Sequence, residues 1–378
     1  NSHNHRARGM KALVLRKLGR KEEALAWIQE SYKIDPFNYV CMVEEYLLTG
    51  KKASLERMVE LMHGNVYNYH ETALDYAQAE LSNEVMLVLQ TAIDHGVEES
   101  PLTYYYMAIY GGSLDDSFKY FEKAQEADRA YCFPNRLEDA YALQTVGMLP
   151  VLDARAPYYL GCLYYDKRQY DLAVSCWERS AKLDPGFPTV WRNLALAKFN
   201  KSTKESKRQT GTIDWMCDMM VNVMQAATNH IEMDDVMPKK TTQEEAVEMM
   251  ERAFHLDETD SRILMELDQL YKRLHHPHQE RLDFLQMYPE LITQRDDLIL
   301  EEITLLNQLG LFEEAMQKLD AHRFHPWEGG EGKVPAQYQF CRVEIAKKAI
   351  AVKEYDKAIG LLQECLEYPH HLGEGKLY

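Results

Sequence analysis

The stretch "PYYLGCLYYDKRQYDLAVSCWERSAKLDP", Pro157 to Pro185, decides the fold. Leu160-Gly161 is followed by Tyr164, Tyr170, Ala173, Trp177 and Pro185. Gly161 and Ala173 are small where two helices must touch, and the aromatics fill the space beside them. Pro185 stops the second helix, because proline cannot continue one.

The same frame recurs along the chain. "LRKLGRKEEALAWIQESYKIDP" places Gly19, Ala24, Ile28 and Pro36. "LNQLGLFEEAMQKLDAHRFHP" places Gly310, Phe312, Ala315 and Leu319, and "AVKEYDKAIGLLQECLEYP" places Tyr355, Ala358, Leu362 and Cys365. Between residues 38 and 150 the pattern is weaker. Helices are expected near 38–49, 52–63, 67–80, 82–95, 102–110, 114–127 and 136–148, with the pairing across 101–150 left open. These residues resemble the tetratricopeptide repeat (TPR), a helix–turn–helix unit of about 34 residues. Two positions of the 157–185 stretch depart from it: Pro157 stands where Trp is usual and Ser180 where Ala is usual. The resemblance implies an all-α, right-handed superhelical solenoid of about nine helix pairs spanning 1–378.

One repeat reads as split. "PTVWRNLALAKFNK" (188–201) is a first helix with Trp191 and Leu194-Ala195 in frame. Its second helix comes only with "TQEEAVEMMERAFHLDETD", which carries Ala246 and Ala253. Asn200 and Ala246 should be 7 residues apart and are 46 apart, so about 39 residues near 202–240 are expected as an insertion. Within it Trp215, Met216, Met219, Met220, Val223, Met224 and Ala227 make one face of an amphipathic helix. That face is expected to cover the adjoining repeats, or else to meet a partner.

Composition narrows the function. The chain has 378 residues, is 46% hydrophobic and 27% charged, and carries a net charge of −17. That charge argues against nucleic acid as a partner. No apolar run reaches the roughly 18–20 residues of a membrane helix, and no signal peptide is read at "NSHNHRARGMK". A membrane partner is not expected. The seven cysteines are scattered without Cys-x-x-Cys spacing, which favours a reducing, cytoplasmic setting. The chain does not begin with Met and, by the 43-residue frame, is expected to stop between repeats, as a fragment of a longer protein would.

"HPWEGGEGK", His325 to Lys333, has an echo in "YPHHLGEGKLY", Tyr368 to Tyr378: a shift of 43 residues puts Gly330-Glu331-Gly332-Lys333 on Gly373-Glu374-Gly375-Lys376. The shift also puts Phe312 on Tyr355, Ala315 on Ala358 and Pro326 on Pro369. "GEGK" is therefore a repeat feature between a second helix and the next first helix. Equivalent loops of a solenoid emerge on one edge, so these two should lie side by side. They are not phosphate loops: Val334 and Leu377 replace the Ser/Thr that would hold magnesium, and no strand precedes them. They are either connectors or a binding edge carrying His325, Trp327, Glu331, Lys333, Glu374 and Lys376.

Other constellations read as structural. His275-His276-Pro277-His278 is an interhelix turn, and His322 and His325 mark a helix end. Glu44-Glu45, Asp115-Asp116 and Asp296-Asp297 are read as solvated helix faces. No catalytic motif, no metal-ligand set and no cofactor site is expected. Tyrosine is abundant, at 24 residues. In the TPR frame the first helix of each pair lines a concave surface, and the resemblance puts Arg155, Tyr158, Tyr165, Arg192 and Asn200 there. The family's carboxylate-clamp groove for chaperone tails is not matched. Tyr158 stands where its first Lys would be and Cys162 where an Asn would be, leaving only Asn193 in place.

"RFHPWEGGEGKV", "ELDQLYKRL" and the 157–185 stretch also resemble the C-terminal arrays of large bacterial proteins. Those carry an N-terminal β-rich domain, similar to sugar-mutarotase sandwiches, whose function is unknown. That resemblance implies a carbohydrate-linked setting. Two functions are expected from it. One is a non-catalytic binding or scaffold module for a protein, a peptide, its own upstream domain or a glycan. The alternative is an accessory region of a carbohydrate-active enzyme whose catalytic domain lies upstream.

Overall fold

The computed structural model describes residues 3–97, 99–112, 114–128, 130–149, 152–209, 242–367 and 369–373. Every regular element among them is helical, and they divide into two compact units, 1–185 and 186–378. The all-α expectation therefore holds.

The first unit contains α1 (His5–Lys17), α2 (Lys21–Ile34), α3 (Tyr39–Thr49), α4 (Ala53–Met62), α5 (Val66–Ala77) and α6 (Ser82–Asp94). It continues with α7 (Pro101–Tyr110), α8 (Leu114–Glu126), α9 (Leu137–Met148), α10 (Arg155–Asp166) and α11 (Tyr170–Leu183). The weakly patterned region thus forms all seven expected helices. α7 and α8 form a pair, α9 packs between α7 and α10, and α10 and α11 form the next pair. Asparagines start several helices: the side chains of Asn4, Asn38 and Asn65 accept from backbone N–H groups of Ala7, Cys41 and Tyr67 at 2.9, 3.2 and 3.0 Å.

The second unit contains α12 (Pro188–Gln209), α13 (Thr242–Leu256), α14 (Ser261–Arg273), α15 (His278–Gln286) and the single turn α16 (Pro289–Ile292). It ends with α17 (Asp296–Gln308), α18 (Phe312–Ala321), α19 (Lys333–Ala351), α20 (Tyr355–Glu364) and a 3-10 turn, His370–Leu372. α12 runs eight residues past Lys201 and packs against α13. Ala195 and Phe199 meet Ala246, Val247, Met250 and Ala253 in one core. The Met-rich face, Trp215 to Ala227, lies outside the described residues.

The frame residues do what their size demands. Ala24, Ala173, Ala246 and Ala315 are fully buried, and Ala358 is 2% exposed. A Cβ added at Gly161 would sit 2.4 Å from the indole nitrogen of Trp177. Glycine is therefore the residue that lets α11 lay its tryptophan on α10. Five residues before the buried alanine of four pairs stand Gly19, Arg168, Gly310 and Lys353, all with φ between 60° and 79°. The turn between paired helices needs a left-handed residue, and two of the four repeats supply it with a strained side chain. The α19–α20 pair is less covered: Tyr355 and Leu362 are 56% and 39% exposed. Their equivalents one repeat earlier are packed, with Phe312 5.9 Å from the Phe340 ring of α19 and Leu319 fully buried.

Asp116 is exposed, as a solvated face requires, but Glu44-Glu45 and Asp296-Asp297 are not solvated faces. Glu44 is fully buried, where its carboxylate accepts from Arg16 at 2.5 and 3.2 Å and from the Tyr76 hydroxyl at 2.9 Å. Glu45 accepts from Tyr32 and Ser54 at 2.9 and 3.0 Å. Asp296 is also engaged, as shown below. The reason is register: Glu44 shares the buried stripe of α3 with Val40 and Val43. Buried carboxylates recur in the second unit. Asp268 is fully buried and pairs with Arg281 through two bonds of 3.0 and 2.7 Å, while Arg281 also reaches Glu301 at 2.7 Å.

Candidate partner-binding edge

The loop after α18 is pinned from three sides. Asp296, the first residue of α17, accepts from the backbone N–H of His325 at 2.7 Å. Its carboxylate also lies 2.7 Å from His322 Nε2 and 3.2 Å from His325 Nδ1. Burial pushes the Asp296 carboxyl up, but the hydrogen bonds from His322 and His325 outweigh it and hold it below the usual carboxylate range. Phe324 is buried with its ring edge-on to His322 at 4.6 Å.

The second pin is the neighbouring loop. The Phe324 N–H donates to the His371 carbonyl at 2.7 Å. A Cβ at Gly373 would sit 2.6 Å from the Phe324 carbonyl oxygen, and Gly373 has φ +74°, so the contact requires glycine. The two loops lie side by side, as the 43-residue shift expects. Of the second copy, Glu374 and Lys376 lie outside the described residues.

The third pin is internal. Trp327 covers Gly330, where a Cβ would fall 2.3 Å from the indole. Gly330 N–H donates to the Trp327 carbonyl at 3.1 Å, and Lys333 N–H to the Gly330 carbonyl at 3.0 Å. Gly332, at φ 73°, is the N-cap of α19. Backbone N–H groups of Glu331 and Gly329 hold the Glu331 carboxyl low, with a smaller contribution from the charge of Lys333. On this fixed frame His325, Glu331 and Lys333 point to solvent; the His325 side chain is 77% exposed.

The five residues expected to line the concave face fall in different settings. Arg155 donates to the carbonyls of Ala127 and Ala124, at 2.5 and 3.4 Å, and so caps the end of α8. Tyr158 is half-buried against Tyr159, 5.3 Å between ring centres, and its carbonyl accepts from Trp177 Nε1 at 3.2 Å. Tyr165 is 36% exposed and leans on Tyr170 and Trp177, with ring centres 5.1 and 5.5 Å away. In the second unit Arg192 makes a two-pronged pair with Glu266, Nε to Oε2 at 2.5 Å, and Asn200 is exposed on α12.

Sequence reasoning missed a charged cleft of about 280 Å³ in the first unit, on the side of α1, α5 and α9. Arg6 pairs with Asp75 at 2.6 Å and donates to Gln78 at 2.5 Å. Gln78 in turn donates to Glu138 at 2.5 Å, and Arg136 pairs with Glu71 at 2.6 Å. These residues are 60 to 72 positions apart, so no local pattern signals the cleft. Among the described residues no group of three or more His, Cys, Asp or Glu is placed to hold a metal ion. Nor is any described helix long and apolar enough to cross a membrane. His275, His276 and Pro277 form the turn between α14 and α15 and His278 opens α15; His275 is left-handed, and the His276 ring is tilted against Tyr271 with ring centres 4.7 Å apart.

Stacked helix pairs with a loop edge define the class as a helical repeat protein. Residues 5–38 and 155–187 match family models of the tetratricopeptide repeat. Solved structures similar to it include the C-terminal part of a TPR repeat-containing protein from Cytophaga hutchinsonii. That likeness has 14% identity over 78% of this chain and 93% of the other, with a TM-score of 0.40. YrrB, described as a TPR protein with an unusual peptide-binding site, is 13% identical over 60% and 92%, with a TM-score of 0.36. A human IFIT1 dimer with PPP-AAAA is 11% identical over 94% and 81%, with a TM-score of 0.36.

Proposed function

We propose that the chain is a non-catalytic tetratricopeptide binding module, a scaffold that holds a protein or peptide partner. The partner can equally be an upstream domain of the full-length protein. This reading takes 1–378 as one repeat array with 202–240 inserted in one unit, which the packing of α12 on α13 supports.

The observation that carries the reading is the edge loop. Asp296, His371 and the Trp327–Gly330 contact fix its backbone, yet His325, Glu331 and Lys333 stay exposed. A connector needs no such preorganisation, whereas a binding surface gains affinity from it because less freedom is lost on docking. The first-helix face of the first unit adds a second surface, with the charged cleft and Tyr165. Its paired charges of both signs suit a polar peptide and set register more than raw affinity.

The test is affinity capture with the wild type and with His325→Ala/Glu331→Ala/Lys333→Ala, whose three side chains are exposed. A partner held by the wild type and released by the variant supports the edge. A partner held equally by both refutes it. A Tyr165→Ala variant tests the groove in the same way.

A further inference from the structure

The second unit has a cleft of about 490 Å³ that contains none of the exposed edge-loop residues. That size falls within the roughly 300–1,000 Å³ typical of small-ligand sites. α16 supplies one wall with Pro289 and Ile292, α17 supplies Ile299, and α18 supplies Ala321. Among these apolar groups stands Glu302 of α17, 3% exposed. Its carboxylate accepts from Gln286 at 3.3 Å and pairs with Lys318 Nζ at 3.0 Å.

The two members of that pair differ. Glu302 is fixed inside the fold. Lys318 reaches in from α18 with 43% of its side chain exposed, on a flexible four-carbon stem. A carboxylate buried beside isoleucines needs a cation, and Lys318 is one that can turn back to water. His322, also on the cleft, is directed at Asp296. The charge that stays with the cleft is therefore negative, and Pro289, Ile292, Ile299 and Ala321 give it an apolar wall beside the polar Gln286 and Thr293.

We propose that this cleft binds an aliphatic cation, an ammonium or guanidinium on a stem of about four to five carbons. The cation displaces Lys318 from Glu302, and the stem lies on Ile292 and Ile299. A lysine or arginine side chain of a partner peptide carries this chemistry, and so does a free alkylamine. The cleft shares His322 with the supports of the edge loop but none of the loop's exposed residues His325, Glu331 and Lys333, so the two readings can fail separately.

The test uses n-pentylammonium and the blocked peptide acetyl-Gly-Lys-Gly-amide, followed by saturation-transfer NMR and titration on the purified chain. Wild type should bind pentylammonium, and Glu302→Gln should lose it. Lys318→Met, which leaves the carboxylate without its rival, should bind about tenfold tighter. Binding of both probes points to a peptide side chain, and binding of pentylammonium alone points to a free amine. Binding that survives Glu302→Gln overturns the proposal, as does pentanoate binding that Lys318→Met abolishes. If Glu302→Gln does not fold, Lys318→Met decides alone, and unchanged affinity in it overturns the proposal.

Discussion

Lowering the pH from 8 to 5 should remove about 2 kcal/mol of stability through His70 alone. His70 is 1% exposed on α5, with Nε2 2.8 Å from Thr103 Oγ1 and Nδ1 without a partner. The rings of Tyr67 and Tyr106 meet it edge-on, at 5.9 and 5.0 Å. Burial, and secondarily the charge of Arg136, pushes its pKa down from 6.5 to about 3. The folded state thus keeps the imidazole neutral where the unfolded chain takes up a proton. Stability from this source is complete above pH 6.5 and falls by about 1.4 kcal/mol per unit below it, until the folded value is reached. The 1.5 units from 6.5 to 5 give about 2 kcal/mol. Urea unfolding at pH 8 and pH 5, on wild type and His70→Leu, measures it. The variant loses the Thr103 bond at both pH values, but its pH dependence should be shallower by that amount. Parallel pH dependence in the two proteins would refute a neutral buried imidazole.

Three further perturbations test the packing. Arg281→Met strands Asp268, whose carboxyl burial already pushes up, and should cost about 3–5 kcal/mol in chemical denaturation. Adding Asp268→Leu should recover most of that loss, and a double variant no more stable than the single one contradicts the assignment. Gly161→Ala drives a methyl into the Trp177 indole and should cost about 1–3 kcal/mol, with a changed near-ultraviolet tryptophan signal. Arg168→Gly and Lys353→Gly relieve left-handed side chains and should each stabilise by about 0.5–1 kcal/mol, measured as a raised urea midpoint. A lowered midpoint counts against the turn argument.

The repeat frame was legible because it rests on local size. Gly161, Ala173 and Trp177 must be small, small and large for two helices to close, and that pattern survives in a single sequence. The helices of 38–148 were legible from their apolar period. The position of α9 between α7 and α10 was not, since no residue in "LEDAYALQTVGM" names its neighbours. Glu44 was misread because adjacent acids suggest solvent, although its place on the Val40–Val43 stripe was readable. Asp268 and Glu301 sit in buried registers of α14 and α17 in the same way. At the edge, Trp327 and the glycines were visible. Asp296 was not linked to the loop, because it stands 29 residues from His325.

The central claim is that the fixed edge loop meets a partner. Hydrogen exchange of the chain, alone and with its captured partner, tests this most directly. Amides of 324–333 should gain protection in the complex, together with amides of α1, α5 and α9 if the charged cleft takes part. Protection confined to other segments, with 324–333 exchanging as in the free chain, would contradict it.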